Sequence, residues 1–324
     1  MSGTLAGVPR GIALLRRLLT LAVLFHHLVA CGGESASSLP AGTPPADWTT
    51  PAAKAPRVSY QVFQSTAANA RVSFHVYLPS DYEVSEKRYP VLYWLHGTGA
   101  GVAGIPAVAE RFDRAMQAGA VPQMIIVFPN GLASSMWTDS KDGTVPMETV
   151  VVQELLPHVD RRFRTLGTRQ GRLIEGFSMG GFGAARIAFK YPQHFAAASM
   201  LGAGPLQAML ARDIGPPVNA QERENVLRDV FGNDQAYFQA GNPRGLAARN
   251  ASAVRDRLPL RQVIGTADFS LADNREFRAH LVGLGIPVQY LEVTGAGHST
   301  LQLIDGMGAA FWRFHAAALG AAAR

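Results

Sequence analysis

The stretch Arg172-Leu173-Ile174-Glu175-Gly176-Phe177-Ser178-Met179-Gly180-Gly181 decides the fold. An apolar run ends in Gly-x-Ser-x-Gly, and a helix-forming segment, residues 182–190, follows at once. A strand that turns this sharply into a helix holds its central residue in a strained backbone conformation, and glycines two positions either side let strand and helix pass without side-chain collision. The hydroxyl of Ser178 is then exposed at the edge of a sheet, where a nucleophile is used.

Other apolar runs extend that strand into a sheet. Residues 58–63 and 71–78 alternate apolar and polar side chains, the pattern of a half-exposed antiparallel pair. Continuous apolar runs follow at 90–95, 124–128, 172–174, 195–201, 261–264 and 288–293, as expected of strands buried on both faces. Between them, apolar spacing near 3.6 predicts helices over 106–118, 145–163, 182–190, 273–284 and 303–319, with Pro146 in a first turn and Gly283 and Gly285 placed to end the fourth. Strands alternating with helices imply an α/β protein with a mainly parallel central sheet covered on both faces. The polar, Pro- and Gly-broken interval 204–260 reads as an insertion over the sheet edge, a cap for the substrate site.

At 324 residues and 48% hydrophobic content the chain can bury one large core. The formal charge of +6 falls to +3 without Arg10, Arg16 and Arg17, and the remaining basic residues are scattered apart from Arg161, Arg162 and Arg164. That cluster reads as the solvated end of a helix, so no nucleic-acid partner is expected. Arg16 and Arg17 precede an apolar run at 18–25 that is too short to span a bilayer and leads into Leu28-Val29-Ala30-Cys31-Gly32. This resembles a bacterial lipoprotein signal, in which the cysteine is lipidated and becomes the mature N-terminus; an ordinary secretory peptide is the alternative. Cys31 is the sole cysteine, which leaves no internal disulfide. Residues 1–30 are thus expected to be a signal peptide, 31–57 a flexible tether and 58–324 the catalytic domain. Export with lipid anchorage to the cell envelope follows, with secretion as a soluble protein the alternative.

A serine hydroxyl needs an imidazole to take its proton and a carboxylate to orient that imidazole. Downstream of Ser178 stand His194, His280, His298 and His315. His298, in Thr294-Gly295-Ala296-Gly297-His298-Ser299, follows directly on a buried strand, whereas His280 and His315 fall inside helices and His194 lies just after the nucleophile helix. Asp268 emerges from the strand at 261–264, on the same sheet edge as Ser178. Its rival Asp273 precedes a helix and has a role available as its N-cap. The oxyanion that forms during acyl transfer needs two donors. The main-chain N–H of Met179 supplies one and that of Thr98, between Gly97 and Gly99, the other; His96 beside it reads as a loop-bonding residue.

Several motifs together, Tyr77-Leu78-Pro79, residues 90–97, Pro129-Asn130-Gly131, Trp137-Thr138-Asp139-Ser140, residues 148–160, 176–181, Val230-Phe231-Gly232, 265–269 and Gly297-His298, resemble the esterase D family of α/β hydrolases. The resemblance spans nearly all of 58–319. It implies the α/β-hydrolase fold, Ser178, Asp268 and His298 as the triad, Thr98 and Met179 as oxyanion donors, and no metal or cofactor. It also implies a serine carboxylesterase for short acyl or aryl esters, with small-molecule or sugar esters as substrates. An acyltransferase on the same triad and a non-catalytic surface protein of the same fold are the alternatives. The sequence leaves the acyl and alcohol parts and the oligomeric state open.

Overall fold

The computed structural model describes residues 47–99 and 101–320. Its centre is an eight-stranded sheet: β1 (Val58–Ser65), β2 (Ala70–Tyr77), β3 (Val91–Leu95), β4 (Ile125–Pro129), β5 (Arg172–Phe177), β6 (Ala197–Leu201), β7 (Leu260–Gly265) and β8 (Gln289–Val293). The order across the sheet is β1-β2-β4-β3-β5-β6-β7-β8. β2 runs antiparallel to both neighbours, and every other pairing is parallel. The wholly apolar stretches of β3 and β4 are buried at every residue, as covered parallel strands require. β8 departs from that expectation: it is the edge strand and buries only Val293. β2 departs the other way, being buried at six of its eight residues: Val72, Phe74 and Val76 enter one core, Tyr77 the other, and the N-terminal segment covers Ser73 and His75.

The chain ahead of β1 is where the expected tether is corrected. Residues 47–57 lie along β2: the Trp48 carbonyl accepts from Ser73 N, Thr50 N donates to Ser73 Oγ and Ala53 N donates to His75 Nε2. Trp48 is buried. One tryptophan whose ring enters the core overrides a composition of Pro, Ala and Thr. The signal peptide, Cys31 and the first part of the tether lie outside the described residues.

Two cores flank the sheet. On one face α1 (Ile105–Gln117), α10 (Thr300–Met307) and α11 (Ala309–Gly320) pack on Leu92, Trp94 and Ile126. In α1 the buried Ile105, Val108, Ala109, Phe112, Ala115 and Met116 form one stripe, and Pro106 stands in its first turn. Gly308, at φ 52°, separates α10 from α11 where a single helix was expected.

The opposite face carries α2 (Met147–Thr149), a π-helical stretch (Val150–Leu155) and α3 (Leu156–Arg162) in continuous succession, together with α4 (Met179–Lys190) and α9 (Leu271–Gly283). Gly285, at φ 68°, ends α9 as expected. Four short helices, α5 (Ala220–Asp229), α6 (Gln235–Gly241), α7 (Pro243–Arg249) and α8 (Ala251–Arg257), fill the interval between β6 and β7. α7 and α8 contribute Leu246, Ala247 and Val254 to the core, so this half of the interval is a layer of the fold. No helix among the described residues is long and apolar enough to cross a membrane.

Candidate active site

β5 delivers the chain to Ser178, whose φ of 57° and ψ of −119° lie in a region that side chains seldom occupy. The turn closes because of its glycines. A Cβ on Gly180 would lie 2.0 Å from the Leu95 carbonyl oxygen, and one on Gly176 2.3 Å from that of Gly180. Ser178 N donates to the Leu201 carbonyl at 2.9 Å, pinning the elbow to β6.

β7 and β8 end on the same side of the sheet, and the loops beyond them bring Asp268 and His298 to Ser178. His298 Nε2 stands 2.9 Å from Ser178 Oγ and Nδ1 stands 2.8 Å from Asp268 Oδ2. The other carboxylate oxygen, Oδ1, accepts from both the N–H and the hydroxyl of Ser270 at 2.8 Å each. Burial would raise the Asp268 pKa, but the bonds from His298 and Ser270 outweigh it and hold the group below its ordinary value. An ionised Asp268 accepts the hydrogen bond of Nδ1–H, which keeps the proton on Nδ1 and leaves Nε2 as the acceptor for the serine hydroxyl. Phe177 and Phe269 bracket the imidazole, with ring centroids 4.7 and 4.5 Å away.

The three other downstream histidines sit elsewhere. His194 follows α4, His280 Nε2 meets the Arg244 carbonyl, and His315 is buried in α11 against Glu175. Asp273 is not the N-cap expected of it: Ser270 holds that position, and Asp273 lies inside α9 with Oδ2 accepting from Gln207 Nε2 at 2.7 Å. It lines the cavity instead.

His96 is bound into its loop, with Nδ1 2.6 Å from the Gly97 carbonyl and Nε2 accepting from Gly131 N. Burial pushes its pKa down, consistent with a neutral ring that donates once and accepts once. Trp137 Nε1 donates to the His96 carbonyl, and Arg186 donates to the Trp137 carbonyl. Through that chain the loop carrying Thr98 is tied to α4. Met179 N–H is the first amide of α4, among those a helix leaves unpaired. Thr98 Oγ1 donates 2.8 Å to Glu222 Oε1 on α5, a contact the sequence did not suggest.

Ser178 and His298 open onto a cavity of about 820 Å³. Its lining includes the apolar Trp94, Ile105, Val108 and Phe128 and the polar Gln207, Asn219, Glu222, Arg223 and Asp273. Gln207 and Glu222 belong to the expected cap interval, whose first half therefore borders the cavity. Thr50 and His75 also line it. Phe177, Phe269, Gln207 and Glu222 went unread in the sequence. Only Phe177 and Phe269 carried a signal, as the aromatic neighbours of Ser178 and Asp268.

An eight-stranded, mainly parallel sheet with a serine at a strained strand-to-helix turn and an imidazole and carboxylate at the next strand ends defines the α/β-hydrolase fold. The chain belongs to the esterase family whose model is described as "Putative esterase", which matches residues 65–299. Among curated proteins it is similar to Esterase Rv1288 of Mycobacterium tuberculosis, 36% identical over 300 residues, covering 83% of this chain and 62% of that protein. The chain thus spans less than two thirds of the length of this relative. Among solved structures it resembles a ferulic acid esterase, with TM-score 0.66, 23% identity and coverage of 81% of this chain and 98% of that one. An S-formylglutathione hydrolase from Agrobacterium tumefaciens gives TM-score 0.65 and 21% identity, covering 81% of this chain and 95% of that one.

Proposed function

We propose that this chain is a serine carboxylesterase that works through an acyl-enzyme. Ser178 Oγ attacks the ester carbonyl while His298 Nε2 takes its proton. The N–H groups of Thr98 and Met179 receive the charge that develops on the carbonyl oxygen. The alcohol then departs with the proton held by His298, and a water activated by the same imidazole releases the acid. Asp268 fixes the tautomer and steadies the imidazolium.

The observation that carries this reading is the unbroken relay Ser178–His298–Asp268, with both bonds under 3 Å and the far carboxylate oxygen already occupied by Ser270. A cavity of about 820 Å³ suits short acyl or aryl esters, including sugar esters. The test is covalent labelling by a fluorophosphonate together with hydrolysis of p-nitrophenyl butyrate. Wild type is expected to show both and Ser178→Ala neither; an unlabelled but folded wild type would mean a binding protein.

Anchorage is the second part of the proposal. It rests on Leu28-Val29-Ala30-Cys31 alone. Intact-mass analysis of the membrane fraction is expected to find acyl groups on Cys31, and Cys31→Ser to abolish them. A mature protein without lipid refutes the anchor and leaves the esterase untouched.

A further inference from the structure

The cavity reaches well beyond Ser178, and the register of the sheet gives its direction. His75 on β2 stands opposite Phe128 on β4. Tyr93 on β3 is level with Val127, which brings Trp94 level with Phe128. Trp94 is in turn level with Glu175 on β5, and Phe177, two residues on, shares that face. Phe177, Trp94, Phe128 and His75 all line the cavity, so they form one row across four adjacent strands, beginning beside Ser178. Three inter-strand spacings make this floor about 14 Å long. Ile105 and Val108, from the first turns of α1, line the cavity from the same core as Trp94 and Phe128.

The row ends under the N-terminal segment. Thr50 lines the cavity there, with its N–H donating to Ser73 Oγ and its hydroxyl 3.3 Å from the same atom, while Ala53 N–H donates to His75 Nε2. Residues 47–57 thus close the arm at β2.

This arm has little to offer a polar group. Among the cavity's lining residues, those of the N-terminal segment, β2 to β5 and α1 include no Asp, Glu, Lys or Arg, whereas Glu222, Arg223 and Asp273 all follow β6 in the chain. Asn130, which also lines the arm, is already bonded: its Nδ2 donates to the Asp47 carbonyl and its Oδ1 accepts from Leu132 N–H. Burial pushes the His75 pKa down and keeps that ring neutral. A hydrocarbon chain needs no partner here and gains from leaving water.

Topology assigns the arm to one half of an ester. His298, which protonates the departing alcohol, stands on the loop after β8, and β6, β7 and β8 lie on the opposite side of β5 from β3. The alcohol leaves on that side, so the acyl group extends over β3 toward β2.

We propose that this arm holds a linear acyl chain of about ten carbons, the length that covers its floor of about 14 Å, and that Thr50 at its closed end sets the limit. The inference rests on the esterase reading and extends it past the short acyl groups named there. Each buried methylene strengthens binding by about 4-fold, so a chain that fills the arm is expected to gain at least about 10-fold over butyrate.

The test compares p-nitrophenyl butyrate, decanoate and hexadecanoate, which share one leaving group and differ only in the acyl chain. Wild type is expected to show kcat/KM highest for the decanoate and lower for the hexadecanoate, which outruns the arm. In Thr50→Phe, which shortens the arm, the decanoate-to-butyrate ratio is expected to fall about 10-fold; in Thr50→Gly, which opens its end, the hexadecanoate-to-decanoate ratio is expected to rise. Val108→Phe, which narrows the arm before its end, is expected to lower the decanoate-to-butyrate ratio as well and serves where the Thr50 variants do not fold. Because each ratio is internal to one variant, a partial loss of folded protein cancels. Wild type that cleaves butyrate as well as or better than decanoate, or ratios that none of the variants moves, overturns the acyl arm and leaves the esterase standing. Wild type that cleaves none of the three overturns the esterase reading and this inference with it.

Discussion

The Asp268 carboxylate has both oxygens committed, one to His298 and one to Ser270. Asp268→Asn keeps the shape but replaces an acceptor with an amide that can donate, favouring the tautomer of His298 that carries its proton on Nε2. Such an imidazole cannot receive the serine proton, and kcat is expected to fall by up to about 10⁴-fold while the melting transition changes little. Full activity in a folded Asn variant would remove Asp268 from the mechanism. Ser178, Asp268 and His298 were legible because each follows a strand end in a fixed chain order. The surroundings of Asp273 were not: helix starts look alike in sequence, and whether Ser270 or Asp273 caps α9 depends on where the turn after β7 closes. Gln207 and Glu222 were hidden for another reason, since polar residues in a Pro/Gly-rich interval carry no periodicity that tells a cavity wall from a solvated loop.

Among the elements, β1 and β2 were readable from alternation and the other six strands from apolar runs, because parallel strands covered on both faces have little room for polar residues; β8 kept such a run although it lies at an edge. Helix continuity was harder to read. Apolar spacing ran through residues 145–163 and 303–319 alike, yet the first contains a π-helical stretch and the second breaks at Gly308. A one-residue change in helical register disturbs an apolar stripe too little to show. The element that matters most for the site is α4. Its Arg186 is buried, paired with Glu148, and donates to the carbonyls of Trp137 and Gly241, while Trp137 holds the His96 carbonyl. Replacing Arg186 with Met leaves Glu148 buried with only Lys190 and Tyr191 as partners and frees two carbonyls. A loss of roughly 3–5 kcal/mol in denaturant unfolding is expected. A loss below about 1 kcal/mol would show that water or Lys190 takes over the role.

The whole molecule should respond to acid through a second buried cluster. Glu175, three residues before Ser178, is fully buried and bonded by Arg261, Ser199 and His315. Burial alone would raise its pKa, but the facing His315 and Arg261 side chains bring it down to about 2. A carboxylate with a depressed folded pKa stabilises the fold above its unfolded value and loses that contribution as pH falls toward the folded one. Stability is therefore expected to decline between about pH 5 and pH 2, and Glu175→Gln, though less stable throughout, should flatten that slope. An unchanged slope would place the acid sensitivity elsewhere. One further property of the molecule follows from the backbone at Ser178. At φ 57° and ψ −119° only glycine is at ease, so the residue that would make the protein hardest to melt there is one that cannot react. Selection for heat resistance alone would erode this position, and a lineage that keeps serine must still be drawing on its chemistry.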